Sequence, residues 1–532
     1  MIKSRSIAAV GAMSTLGLLL SASAQAAGGL GWTAVPDANT KTPGVTVPNK
    51  LSPQLAEVVV AQGATVLENP RDGIGYYGYD SVGGNPPLVP VAPSTHEAHK
   101  TEPDKNTYLK LRGQKGPDAG YDYGTHFLFQ GHESGDPGYV TRVNLDADAD
   151  HRVTLMSDQD TQGNPLPDFD GSTWDPFAKR LLFTSENGCG GAGSAWQGRA
   201  TYAPDARLRD LTGSFGQGGY EGVQVASDGN VWLVEDVGGS TVGSTDAKAP
   251  NSYVYRFVPN TKSNLTTGKL QALQVLRHDG TPMQTKAHPF GNDLKRLHTY
   301  GTSFGTRWVT IHNTAKDGTG AFCATTAAES AHATEFKRPE NGMFRPGTGF
   351  KDFYFTETGD TNADSKANAV YGGWGGVFRL HQSSPSSGKG RLSLAFRGDK
   401  SHTGLDNLTF ASRDWLLVVE DAGDSLHEQR NALDSGYAIN VSQARPHALR
   451  FLAEGRDASA TLDSALGDAG TPGFDNDGDN EITGIHVSNG NPTVDGLLGT
   501  KVPTLFTGWR AFWTQQHGDN VTYELIRAPH GS

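Results

Sequence analysis

The chain carries only two cysteines, Cys189 and Cys323, so at most one disulfide can form within it. They pair in an exported protein, stay as inert thiols, or leave Cys189 free as a metal ligand three residues after Glu186 in SENGCGG. Long apolar runs are absent beyond the first 26 residues, which predicts a soluble mature chain without a transmembrane segment. Nucleophile and nucleotide signatures are missing as well: there is no G-x-S-x-G, no H-E-x-x-H, no P-loop and no G-x-G-x-x-G opening a helix. An excess of positive charge is also lacking. The formal net charge is −12, and −14 once Lys3 and Arg5 leave with the leader (43 basic against 57 acidic residues), so nucleic acid is not an expected partner.

The leader itself is legible. Lys3 and Arg5 precede an apolar stretch at 7–20 that is too short to span a bilayer, and Ala24-Gln25-Ala26 supplies an A-x-A cleavage site. Cleavage after Ala26 and a periplasmic or secreted destination are expected. With no Arg-Arg pair, the general export route is favoured over the twin-arginine one. Residues 27–110 read as an extended, Pro-rich N-terminal segment leading into the first strands, and 111–532 as one β domain with no compositional break. A monomer is expected.

Glycine is abundant, at 68 residues, and strand signals recur from DYGTHFLFQ to DWLLVVED. Helical periodicity is sparse, strongest at 50–61, in CATTAAESAHATEF and in PHALRFLAEGRDASATLDSAL. SDGNVWLVEDVGG…NSYVYRFVPN and FKDFYFTETGD…GGVFRLH share one plan: a turn, a strand ending in acid, a Gly-rich loop, then a strand closing on an aromatic and a basic residue. Such a unit cannot bury both faces alone and must stack on its neighbours, which predicts an all-β fold, a β-propeller with a few short helices. The length exceeds six plain blades, so insertions are expected, with HQSSPSSGKGR and 425–475 as candidates.

In a propeller the innermost strands run side by side, so acids at equivalent strand ends meet at one mouth of the channel. Glu186, Glu221, Glu235-Asp236, Glu357, Asp406-Asn407, Glu420-Asp421 and Asn480-Glu481 are the acids and amides in question. Any one alone is an Asx turn or loop acid. Their repetition after buried strands points to a multi-metal centre, because clustered carboxylates repel unless cations lie among them. Asp475, Asp477 and Asp479 alternate with Asn and Gly as hard oxygen ligands for Ca²⁺ can, without the closing glutamate of an EF-hand, and read equally as a solvated turn. His402 and His517 are placed to line the site and touch substrate.

From about 165 to 520 the segments DGSTWDPFAKRLLFTSENG, GGYEGVQVASDGNVWLVED, FYFTETGD, GLDNLTF, DNEITG and FWTQQHGDN resemble, in order, the PhoX-type alkaline phosphatases. The resemblance implies a six-bladed propeller holding Fe³⁺ and Ca²⁺, and hydrolysis of small phosphate esters. It further implies Glu186, Glu221, Glu357, Asp406 and Glu481 as ligands beside Asn407 and Asn480, with Asp236 and Asp421 in second rank. Where that family has its iron-binding cysteine this chain has Thr184, so Ca²⁺ is the expected ion and Fe³⁺ stays open. The competing readings are a non-enzymatic calcium-binding propeller acting as an extracellular binding or matrix protein, and a calcium-dependent lactonase or esterase.

Overall fold

A computed structural model describes residues 29–42, 46–71, 73–79, 100–134, 137–456 and 480–529. The leader and the Asp475–Asp479 turn lie outside the described residues. The fold is mostly β, a propeller-like arrangement of antiparallel sheets with a few short helices. Among the described residues no helix is long and apolar enough to cross a membrane.

Apart from the hairpin Val66–Arg71/Ile74–Tyr76, the sheets are built of meanders that start at the axis. The first runs outward through Pro103–Lys110, His126–His132, Val140–Asn144 and Val153–Ser157, and the second through Ser172–Asp175, Arg180–Thr184, Ala195–Gly198 and Arg209–Asp210. Tyr220–Val225, Val231–Glu235, Val254–Thr261 and Asn264–Val275 follow. So do Gly342–Phe344, Asp352–Glu357, Gly376–Gln382 and Lys389–Arg397. Phe304–Asn313 pairs with the outer strand of both these meanders and joins them into one nine-stranded sheet. Leu405–Phe410, Trp415–Glu420, Ser435–Asn440 and Ala448–Ala453 form the next sheet, edged by Lys50–Leu51. In the last, Glu481–Ser488, Arg510–Gln516 and Thr522–Arg527 are completed by Leu55–Ala61 from the other end of the chain.

The innermost strands touch in sequence order around the axis, and Glu481–Ser488 closes back on Pro103–Lys110. Position in the meander dictates composition. The inner strand Tyr220–Val225 is buried throughout, whereas the outer Lys389–Arg397 alternates and buries Leu392, Leu394 and Phe396. Aromatic side chains fill the space between sheets, with Trp232 packed edge-on to Trp308 and Phe344.

Three local expectations are corrected. The helix expected at 50–61 is the strand Leu55–Ala61, because three consecutive valines pair in register with the C-terminal strand. PHALRFLAEG holds the strand Ala448–Ala453 in place of a helix. HQSSPSSGKGR is no insertion but the hairpin joining Gly376–Gln382 to Lys389–Arg397, and 425–456 supplies two ordinary strands. The CATTAAESAHATEF segment does form the helix Ala324–Ser330.

Candidate metal centre

Every inner strand opens on an acid at the same end of the ring. Asp104, Glu221 and Asp406 are second residues of their strands, Glu481 is a first residue, and Asp170 and Glu340 stand two residues ahead of theirs. Pairing slips at Pro103/Asn106, Tyr220/Val223, Leu405/Leu408 and Glu481/Gly484. A bulge of this kind leaves a residue out of the ladder and re-aims its side chain. Glycine brings the strands close: a Cβ on Gly222 would lie 2.8 Å from the Glu340 carbonyl oxygen, and one on Gly171 2.2 Å from that of Glu221.

The second strands of the meanders add Glu133, Glu186, Asp236 and Asp421 just past their ends. Strand alternation decides which member of a Glu-Asp pair does so. Glu235 turns into its sheet, where Tyr253 N–H and the Tyr255 and Thr325 hydroxyls donate to it, and Glu420 accepts from Arg430 at 2.9 Å. Asp236 and Asp421, one residue on, turn to the axis.

Carboxylate oxygens of Asp104, Asp170 and Glu221 come within 4.8 Å of one another, as do those of Glu133, Asp170 and Glu186, and of Glu186, Glu221 and Glu340. Burial, then repulsion among neighbours, holds Asp104, Asp170, Glu221, Glu340 and Asp406 well above the usual carboxylate range. Burial and Glu102 push Glu133 up to about 7. Asp421 is raised by burial and by Glu481.

Three cations interleave the acids. Lys105, drawn down to about 8 by burial against the pull of Asp104, Asp406 and Glu221, reaches across the axis to donate to Asn341. Arg338 bridges Asp236 at 2.6 Å and Glu340 at 3.4 Å. His517 lies 3.2 Å from Glu481 and 3.5 Å from Glu102. Burial disfavours its charge, but these two acids outweigh that and hold its pKa well above the ordinary value. Glu102, Arg338 and His517 all adopt left-handed backbone, at φ 49°, 55° and 61°. Non-glycine residues hold that conformation only where the surroundings enforce it.

The structure therefore brings together Glu186, Glu221, Asp236, Asp406, Asp421, Glu481 and His517 from the sequence reading. Asn407 sits among them, donating to Asp406 and to the Thr483 carbonyl, and the buried Asn480 amide has no protein partner among the described residues. Glu357 is turned away. Its carboxylate accepts from Lys337 N–H at 2.8 Å and meets His298 Nε2 at 2.7 Å, so it braces the loop that presents Arg338. His402 is bonded to Asp399 at 2.9 Å, and the acid groups do not include it. Sequence reasoning missed Asp104, Asp170, Glu133, Glu340, Lys105 and Arg338. The signal was an acid followed by Gly or Asn where an inner strand starts: Asp170-Gly171, Glu221-Gly222, Glu340-Asn341 and Asp406-Asn407.

Cys189 and Cys323 are bonded to each other across 134 positions, tying the loop after Glu186 to the start of Ala324–Ser330. Gln217 holds the same loop through Gly190 N–H and the Gly191 carbonyl. Replacing Cys323 by serine is expected to cost about 2–4 kcal/mol of stability. Denaturant unfolding of wild type and variant side by side checks this, and equal midpoints would show that Gln217 alone suffices.

A family model described as Alkaline phosphatase PhoX matches residues 230–494. Among solved structures the chain is similar to Pseudomonas fluorescens PhoX in complex with vanadate, a transition state analogue, with a TM-score of 0.52 and 12% identity over 92% of this chain and 98% of that one. It is more loosely like Sqt1 from Chaetomium thermophilum, with a TM-score of 0.33 and 8% identity over 78% and 80% of the two chains. No curated protein matches the sequence.

Proposed function

The chain belongs to the PhoX alkaline phosphatase family, matched over residues 230–494, and from that premise we propose that it hydrolyses phosphate esters, chiefly monoesters, at the carboxylate cluster. The observation that carries this reading is the convergence of buried acids from all the inner strands on one end of the ring. We further propose that the ring has six blades and that the protein works outside the cytoplasm, a reading supported by the leader-like pattern of its first 26 residues.

The donor set fits hard cations. Asp104, Asp170, Glu186, Glu221 and Glu340 would hold them, with Asp406, Asn407, Asn480 and Glu481 alongside, and these oxygen ligands suit Ca²⁺. A thiolate for iron is lacking: the Thr184 hydroxyl donates to the Glu221 and Gly171 carbonyls, and Cys189 is spent on Cys323. Bound cations supply charge neutralisation at phosphoryl oxygens and a water of lowered pKa.

The protein's own groups do the rest. The Arg338 side chain is a quarter exposed, so its guanidinium stands at the mouth as a planar fork for phosphoryl oxygens. Asp236 and Glu340 fix its orientation, while Glu357 secures the preceding backbone N–H. His517 keeps a proton beside Glu481 and Glu102, available to a departing alkoxide.

The deciding experiment is elemental analysis of the purified mature protein together with turnover of p-nitrophenyl phosphate on the same preparation. Calcium with turnover supports the reading. Calcium without turnover would move the assignment to a binding propeller, and opening of lactones without phosphate release to a lactonase.

A further inference from the structure

Two hollows adjoin on the second sheet, away from the acids. One of 300 Å³ is lined by Arg180, Arg199, Arg207 and Arg209 with the 263–265 turn of the next sheet. The other, of 710 Å³, shares Arg180 and Arg199 and adds Lys179, Trp174, Pro176 and Val494. Arg180 begins the strand Arg180–Thr184, whose far end leads to Glu186. The groove thus lies at the opposite end of the sheet from the cluster, about 20 Å from Arg180 to Glu186 at 3.3 Å per residue of extended chain.

Four guanidinium groups in one cavity are anomalous for a chain of net charge −12. No acid lines either hollow, and among the described residues none of the four arginines pairs with a carboxylate. Arg180 and Arg207 donate only to the carbonyls of Lys179 and Ala206. Elsewhere Arg71, Arg277, Arg345, Arg379 and Arg510 each hold an acid. Asp210, next to Arg209, is bonded to Thr212 N–H and hydroxyl, and Asp205, two residues before Arg207, does not line the hollow. Lys262 adds a further cation beside Phe177, 4.9 Å from its ring.

We propose that this groove is a second anion site, which binds a small organic compound carrying more than one phosphoryl group. Mutual repulsion of the arginines is relieved by a multiply charged anion, and their forks match phosphoryl oxygens two at a time. A cavity of this volume suits a small ligand, and Trp174 with Pro176 gives its organic body an apolar wall. The site does not depend on the phosphatase reading.

Imidodiphosphate, whose P–N–P bridge resists hydrolysis, is the first probe, titrated calorimetrically into calcium-saturated protein. R207S/R209S is expected to weaken one class of binding at least tenfold and to leave p-nitrophenyl phosphate turnover unchanged, with Arg199→Glu as a second variant of independent folding risk. Glu221→Gln should leave that class intact. Binding indifferent to the arginines, or abolished by Glu221→Gln alone, overturns the proposal. Capture by phosphatidic acid vesicles in preference to imidodiphosphate overturns it too, because the ligand would then be a membrane headgroup.

Discussion

Replacing Glu221 by glutamine is expected to lower p-nitrophenyl phosphate turnover by about 10²-fold or more, the scale of losing one key electrostatic group, and at the same time to raise the melting temperature of the calcium-free protein. Glu221 belongs to two of the three acid groups, Asp104-Asp170-Glu221 and Glu186-Glu221-Glu340, so it is the carboxylate that joins them. It is buried, and Asp170, Asp104 and Asp406 all oppose its ionisation. Glutamine keeps the size and cannot ionise, which withdraws one ligand from the cations and, at the alkaline pH where the metal-free acids lose their protons, one repulsion from the cluster. Opposite signs for activity and metal-free stability are the signature of a ligand. A residue that merely holds the fold would lose both, and a variant with normal turnover and normal calcium content would refute the assignment.

Stability of the metal-free protein should fall as pH rises, and calcium should abolish that fall. Asp104, Asp170, Glu221, Glu340, Asp406 and Asp421 have folded pKa values raised above those of the unfolded chain, and Glu133 reaches about 7. The native state therefore keeps protons that the unfolded state releases near pH 4. That contribution is complete below about pH 4 and is lost as pH climbs, through about 7 for Glu133 and through the raised pKa of each of the other acids. Cations bind the ionised form, so their hold strengthens over the same range. Melting temperatures of gel-filtered metal-free protein between pH 5 and 8, with and without added calcium, should diverge steadily toward alkaline pH. Parallel curves would mean that the acids hold no ion.

Propeller architecture and the meeting of acids at one end were legible in the sequence because both rest on periodicity. LVED and VVED show a buried strand running into charge, and a repeated plan implies a shared axis. Which acid of each pair faces the axis was not legible, since one residue of register reverses every side chain along a strand. That is why Glu357 looked like a ligand and instead braces the Arg338 loop, while Asp236 and Asp421 face inward. Asp104 was hidden for another reason. PDKNTYLK is polar over its first half and reads as a loop, yet it is buried up to its last residue because its bulged start faces other inner strands and Lys105 lies among acids. The helix expected at 50–61 failed because its partner, Thr522–Arg527, is some 460 positions away, and no local pattern reveals a pairing of that range.

That same pairing sets an order of events during biogenesis. Leu55–Ala61 leaves the ribosome early but has no partner until Thr522–Arg527 emerges, so the ring stays open for nearly the whole of synthesis. Contacts of such high sequence separation form late and slowly. Glu481 and His517 ride on the sheet that this strand completes, so an unclosed chain presents an incomplete set of acids. On the proposed calcium-binding reading, ion capture would act as a latch on a ring that has just shut. Calcium should accordingly speed little of the early refolding of the sheets and should chiefly retard reopening of the Leu55–Ala61 seam.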